Sequence, residues 1–210
     1  MNISTLVLVI ISILTIFSSM SGFNKSLGFN NGVVFLFAAT GLLLSSFSFK
    51  LTPDLIINIG SISIVIFLII TALFLEGGSL KTMLLIAAVS IAIVELSRLK
   101  YVVEPGIIFA LCASVAAFFE KPVRSMLIAV AAPCVSYMLA AGLNMLYGSA
   151  DFISMSDGAI FDAQMIALCF AYVISLIKLQ RRDIKKLSEH ILPYNEEDEL
   201  YGTPRERKAE

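Results

Sequence analysis

The sequence predicts an all-α fold, a polytopic bundle of transmembrane helices followed by a short charged tail. Of the 210 residues, 58% are hydrophobic and 15% are charged, whereas an average soluble domain has about 25% charged residues. The apolar residues form continuous stretches between Ile3 and Leu179, which suits helices that cross a bilayer but not the alternating strands of a barrel. We therefore expect a transmembrane helical domain over residues 1–179 and a cytoplasmic amphipathic and acidic tail over residues 180–210.

Chain-breaking residues divide the apolar region into seven segments. The boundaries carry clusters of Gly, Pro, Asn and acidic residues, for example at 30–32, 52–54 and 76–78, and such clusters mark turns. The predicted spans are residues 3–20, 32–49, 55–75, 82–96, 105–119, 123–147 and 160–179. After the last span the pattern predicts a charged amphipathic helix that Pro193 stops.

Basic residues orient the last span. Positively charged side chains are enriched in the cytoplasmic segments of membrane proteins, and a basic cluster follows the last span directly. We therefore expect an integral, multi-pass protein of the plasma (inner) membrane with a cytoplasmic C-terminus. The cluster consists of Lys178, Arg181, Arg182, Lys185 and Lys186.

Residues 105–119 leave two topologies open. If they span the membrane, the chain has seven spans, an external N-terminus and four basic loop residues inside against three outside. If they form a re-entrant hairpin, six segments span, the N-terminus is inside, and the basic residues divide five against two. The charge distribution favours six spans. The continuous apolar character of the segment favours seven, the model that we prefer, because bent backbone inside a membrane must be sheltered by protein or water.

The sequence predicts neither enzymatic activity nor a cofactor. It contains no HExxH or GxSxG motif and no paired intramembrane carboxylates, which membrane hydrolases and proteases of known types use. Cys112, Cys134 and Cys169 lie far apart inside apolar segments, and His190 stands alone in the tail, so no metal site is expected. A formal net charge of −1 gives no indication of nucleic-acid binding.

Polar residues inside or beside the spans are the candidate functional positions. Charged groups within a membrane are costly and often functional, and Glu95, Glu104 and Asp162 come closest to that status. An interfacial pair of Glu95 with Arg98 and a helix N-terminus near Asp162 are the structural alternatives. The candidate polar pathway or set of interhelical contacts is Ser12, Thr15, Asn58, Glu95, Ser136, Asn144 and Asp162.

Small residues at helical spacing predict close helix contacts. Ala132, Ser136, Ala140 and Asn144 follow one another at intervals of four in the sixth segment, and such lines allow helices to approach closely in lipid. They favour homo- or hetero-oligomers or a tightly packed bundle. Pro133, beside this line, is expected to kink its helix.

The tail carries a candidate docking motif. Acidic residues flanked by aromatic ones could steer and anchor a basic cytoplasmic protein partner, although a disordered solubilising end has the same composition. The motif consists of Tyr194, Glu196, Glu197, Asp198, Glu199, Leu200 and Tyr201.

These observations favour a non-enzymatic integral membrane subunit, a scaffold or sensor of a larger membrane assembly, that couples to a cytoplasmic partner through its C-terminal tail. The alternative is a small-solute transporter or channel whose pathway the polar positions would line. A transporter requires a water-accessible route to those positions, whereas a scaffold should bury them in dry contacts between helices.

Overall fold

The computed structural model describes residues 3–17, 20–52, 55–98, 115, 118, 120–147 and 157–200. The described chain is mostly helical and divides into two compact units, residues 1–175 and residues 176–210. The elements are α1 (Ile3–Ile16), α2 (Ser21–Ser26), α3 (Asn31–Ser45), β1 (Ser48–Thr52), β2 (Leu55–Asn58), α4 (Ile59–Glu76), α5 (Leu80–Arg98), α6 (Pro122–Tyr147) and α7 (Asp157–Leu200).

Three of the described helices are long and apolar enough to cross a membrane. They are α4 over Ile59–Glu76, α6 over Pro122–Tyr147 and the part of α7 over Ala159–Lys185. Helices α1 and α3 are apolar but have 14 and 15 residues, which corresponds to lengths of about 21 to 23 Å. The prediction of a helical membrane protein is confirmed at this level.

Polarity in the first unit is distributed as in a membrane protein. The outer surface carries large apolar side chains, with Phe74 85% and Leu146 81% exposed. Hydroxyl and amide side chains lie inside, among them Ser90, Gln164 and Ser175. Lipid is as apolar as leucine, so small and polar residues collect at helix interfaces instead.

A short antiparallel hairpin between α3 and α4 was not predicted. Residues 48–49 and 55–58 were assigned to the ends of two spans and residues 52–54 to the turn between them, but β1 and β2 pair there with Ser48 opposite Asn58 and Lys50 opposite Ile56. Predicting helix over these residues was wrong because an apolar run of this length cannot be assigned to strand or helix by periodicity alone. Both helices are consequently shorter than the predicted spans.

The helices of the first unit pack through small residues. Helix α3 contacts both α1 and α4, and α6 contacts both α4 and α5. Ile93 of α5, Ala132 of α6 and Ala163 of α7 form one buried cluster, and Val94 packs against Ala140 in a second. The predicted line of small residues in α6 thus lies at helix contacts.

The second unit contains the C-terminal part of α7. The helical backbone passes Pro193 and ends at Leu200, whereas the sequence pattern predicted a stop at Pro193. A proline inside a helix removes one backbone donor and strains the turn before it, which does not force the helix to end.

Candidate functional site

Asn58 joins the ends of two helices. Its side-chain Nδ2 donates to the carbonyl oxygen of Ser45 at 2.7 Å, which closes the C-terminus of α3. Its Oδ1 accepts the backbone N–H of Ser61 at 3.2 Å, which caps the N-terminus of α4. Gly60 fits here because a Cβ at this position would lie 2.9 Å from the backbone of Ser45. This candidate position therefore fixes the junction between α3, the hairpin and α4.

A buried hydrogen-bond network links α4, α6 and α7. The Ser61 hydroxyl donates to Oε1 of Gln164 at 2.6 Å, and Nε2 of Gln164 donates to the carbonyl oxygen of Val130 at 2.9 Å. Gln164 is fully buried, and both of its polar atoms are used. A satisfied amide of this kind holds three helices together without any need for water.

The network lies beside the proline of α6. Pro133 has no N–H to donate to the turn before it, and neighbouring side chains contribute extra donors to this region of the helix. The Ser90 hydroxyl reaches from α5 to the carbonyl oxygen of Ala132 at 3.2 Å, and the candidate Ser136 donates to that of Pro133 at 2.8 Å. Both carbonyls lie after the one that the proline leaves without a donor, which is that of Ala129. These bonds therefore add contacts around Pro133 and do not replace the missing hydrogen bond.

Asp162 caps the first helix. Its Oδ1 accepts the backbone N–H of Ser4 at 2.7 Å, across 158 positions of sequence. The first N–H groups of a helix have no partner within it, and a carboxylate there is also favoured by the helix dipole. The sequence placed Asp162 at the N-terminus of its own span, and the structure shows a partner in α1.

Glu76 and Arg124 make a reciprocal pair of helix caps. The Glu76 carboxylate at the end of α4 accepts the N–H groups of Val123 at 3.0 Å and Arg124 at 3.1 Å, in the first turn of α6. In return, Nη2 of Arg124 donates to the carbonyl oxygens of Glu76 at 2.6 Å and Gly77 at 3.1 Å. One pair of side chains thereby provides hydrogen-bond partners for the free backbone groups at two helix ends.

Two further charges complete this ion cluster of Glu76, Lys81, Glu120 and Arg124. Glu120 Oε2 lies 3.8 Å from Nη1 of Arg124, and its Oε1 lies 3.2 Å from Nζ of Lys81. The Glu120 side chain is 5% exposed and that of Lys81 is 66% exposed. The cluster therefore reaches from the protein interior to the surface, and it ties the starts of α5 and α6 to the end of α4.

In the sequence, Glu76 and Glu120 are recognisable only as members of breaker-rich turns, at 76–78 and 120–122. A signal was present in the Lys121–Pro122 pair, because proline is common at the first position of a helix. It indicated a helix start but could not identify Glu76, 47 positions earlier, as its cap.

The other predicted pathway residues lie at separate places. The hydroxyls of Ser12 and Thr15 donate to carbonyl oxygens one turn earlier in α1, at 2.8 and 2.6 Å. Glu95 is exposed and Asn144 is half-buried. Hydroxyls that bond their own helix are common packing features in membranes, so no continuous polar route is formed by Ser12, Thr15 and Ser136.

The side chains of some predicted positions are not among those that the structure describes. Glu104, most of the segment 105–119 and Tyr201 lie outside the described residues. The docking positions from Tyr194 to Leu200 lie within the helical backbone of α7. Among the described residues, no group of three or more His, Cys, Asp or Glu side chains is arranged to hold a metal ion.

An apolar cavity of about 230 Å³ lies among α1, α3, α4, α6 and α7. Its walls include the tilted ring pair of Phe37 and Phe67, whose centroids are 5.1 Å apart. Asn24 and Tyr172 provide its polar atoms, and the Tyr172 hydroxyl donates to Oδ1 of Asn24 at 3.2 Å. Sequence analysis missed this cavity, because its lining residues come from segments far apart in the chain.

Comparison of the chain with protein-family models, with curated proteins and with solved structures finds no match. Function must therefore be argued from the geometry of the chain itself.

Replacing Arg124 with Gln should lower the free energy of unfolding in detergent by about 3 kcal/mol, because it leaves the Glu76 carboxylate and two helix carbonyls without a cationic partner. The side chain is 14% exposed, so water compensates little of this loss. The matched control is Lys121→Gln, an exposed cation three positions earlier, which should change stability by less than about 0.5 kcal/mol. Equal effects of the two substitutions would contradict the structural role of the cluster.

Proposed function

We propose that this chain is a non-enzymatic integral membrane subunit, a scaffold or sensor of a larger assembly, that couples to a cytoplasmic partner through its C-terminal tail. The observation that carries the proposal is the pairing of interior polar groups with protein atoms. Ser61 and Gln164 bond each other and the backbone of α6, and Ser125 and Ser175 bond each other at 2.9 Å. Polar groups used in this way hold helices together and leave few donors for a solute.

A small-solute transporter or channel is the second candidate. It would need a wet path to residues such as Asn58, Ser136 and Asp162, whereas the sites of known transporters lie near the middle of the membrane. Asn58 and Ser136 are 6% and 1% exposed and bond helix backbone. The pocket beside Asn58 has a volume of about 10 Å³, about the space of one water molecule. The larger apolar cavity contains none of these three residues in its lining. These contacts favour the scaffold.

Seven spans are the topology that we propose. What supports it is the contact of Lys81, at the start of α5, with Glu120, just before α6. Helix α5 has 19 residues and leads about 28 Å away from that contact, so the chain has to return over the same depth before it reaches Glu120. A re-entrant hairpin would bring the chain back to the side that it left, whereas a crossing by residues 99–119 meets the requirement.

Other contacts support an external N-terminus. Asp162 near the start of α7 caps the start of α1, so the two starts share one side of the membrane. Ser125, near the start of α6, bonds Ser175 further along α7, on the opposite side. With the basic cluster after Leu179 in the cytoplasm, the start of α1 lies outside, and Lys25, Lys81, Lys121 and Arg124 lie inside.

The tail is the proposed coupling element. The basic residues that follow the last span favour anionic head groups at the cytoplasmic surface. The acidic stretch from Glu196 to Glu199 follows them, flanked by Tyr194 and Tyr201. A basic segment followed by an acidic one can have two roles. The basic segment lies on the membrane surface, and the acidic segment attracts a basic protein.

The scaffold proposal predicts dry interior positions. In a chain without native cysteines, Ser61→Cys and Ser136→Cys should resist a small water-soluble thiol reagent added to permeabilised membranes. Lys25→Cys is the control and should react, because Lys25 is exposed. Rapid labelling of either interior cysteine in the folded protein would reject the scaffold in favour of the transporter.

The seven-span proposal predicts that residues 100 and 121 lie on opposite sides of the membrane. With an impermeant thiol reagent, Lys100→Cys and Asn2→Cys should be labelled from outside, and Lys121→Cys from inside only. A re-entrant segment would put residues 100 and 121 on the same side. Labelling of both from the cytoplasm would overturn the seven-span topology.

The coupling proposal predicts loss of a cytoplasmic partner when the acidic run is neutralised. Conversion of Glu196, Glu197 and Glu199 to Gln and of Asp198 to Asn should abolish co-purification in mild detergent, because charge steering and pairing are lost. The matched control neutralises Arg205, Arg207 and Lys208, which are cations of the same tail outside the motif. A partner set that survives deletion of residues 193–210 would reject the docking motif.

A further inference from the structure

The apolar cavity is built from apolar helices of the first unit, three of which are long enough to cross a membrane. Its walls include Ile11 of α1, Phe37 of α3, Phe67 of α4, Met126 of α6 and Leu168 of α7. Apolar side chains in a protein interior normally interdigitate and leave few voids. A space of about 230 Å³ therefore leaves many side-chain atoms without contacts, which costs packing energy unless something fills it.

Water is a poor occupant of this space. An apolar cavity of about 150 Å³ in another protein stays dry and takes up benzene instead. The present cavity is larger and is lined almost wholly by carbon. Its hydrogen-bonding side chains, Asn24 and Tyr172, already bond each other, and Asn24 also donates to Asn31 Oδ1 at 3.0 Å.

One wall of the cavity is open to the surroundings. Cys169 is exposed and Val173 is 52% exposed, and both belong to the membrane-spanning part of α7. What surrounds that part of the helix is the hydrocarbon of the bilayer. An occupant can therefore enter sideways from the membrane without crossing water.

We infer that the cavity binds one acyl chain of a bilayer lipid. The chain enters past the exposed side chains of Cys169 and Val173, along one face of α7, and packs against the rings of Phe37 and Phe67. The Asn24–Tyr172 pair lines the cavity near the start of α2, and its polar atoms are bonded within the protein. Tyrosine suits this position because its ring is apolar and its hydroxyl is polar.

This binding site is independent of the proposed function. The cavity would hold an acyl chain whether or not the tail binds a partner, and the test below contains no partner. Failure of the docking experiment and failure of the lipid experiment are therefore separate outcomes.

Fluorescence quenching tests the proposal directly, since the chain contains no tryptophan. Phe37→Trp places a single indole in the cavity wall, at a position that is 8% exposed. In vesicles of phosphatidylcholine brominated along its acyl chains, this tryptophan should lose nearly as much fluorescence as Phe74→Trp, whose position is 85% exposed. An indole at residue 37 that brominated chains leave unquenched would overturn the proposal.

A matched pair of substitutions on α3 separates cavity occupancy from contact with bulk lipid. Val34 lines the cavity, and Val33 does not line it and is 38% exposed. Val34→Phe should fill the cavity and protect the Phe37→Trp indole from quenching, whereas Val33→Phe should leave the quenching unchanged. Equal quenching in the two variants would contradict binding in the cavity.

Mass spectrometry of the purified protein, with the natural residues at 33, 34 and 37, tests the same proposal without a tryptophan. It therefore remains usable if the Phe37→Trp variant folds poorly. Released from detergent micelles containing phosphatidylcholine, the chain should retain one lipid, and Val34→Phe should lose it while Val33→Phe keeps it. Absence of retained lipid in all three proteins would overturn the proposal.

Discussion

The structure depends on the capping of helix ends by polar side chains from elsewhere in the chain. Where a helix terminus is buried, as at Ser4, Ser61 and Val123, no water can serve its free N–H and C=O groups. Asn58 serves α3 and α4, Asp162 serves α1, and Glu76 and Arg124 serve α6 and α4 in exchange. Each cap is also a tertiary contact. The same hydrogen bond therefore pairs a backbone group at a helix end and holds two parts of the bundle together.

This dual role bears on function. A residue such as Asp162 has the chemistry of a cation or proton site, but its carboxylate oxygen is held by the N–H of Ser4. Moving it to bind a solute would uncover a helix end in an apolar medium, at a cost of a few kcal/mol. Gln164 is constrained in the same way by Ser61 and Val130. The polar interior thus favours a rigid subunit over one that alternates between conformations.

Sequence reasoning reached the helical membrane class because long apolar runs are a local signal. The same reasoning marked Asn58 and Asp162 as notable, since polar residues in apolar surroundings are visible one at a time. It missed the hairpin at residues 48–58, where isoleucines and a phenylalanine suit a strand as well as a helix. It also missed the pairing of Glu76 with Arg124, because a contact across 48 positions is determined by packing and not by spacing.

The short helices explain why a cavity exists at all. Helix α1 ends at Ile16 and α3 begins at Asn31, so full-length spans are absent where the two meet. Met20, Asn24 and Phe29, from the connection between them, close over part of the missing volume and line the cavity. A lipid acyl chain would supply the apolar contacts that longer helices would otherwise have made. With the proposed lipid bound, the surrounding bilayer would complete the packing of the first unit, and the lipid would be a structural component of the bundle as much as a ligand.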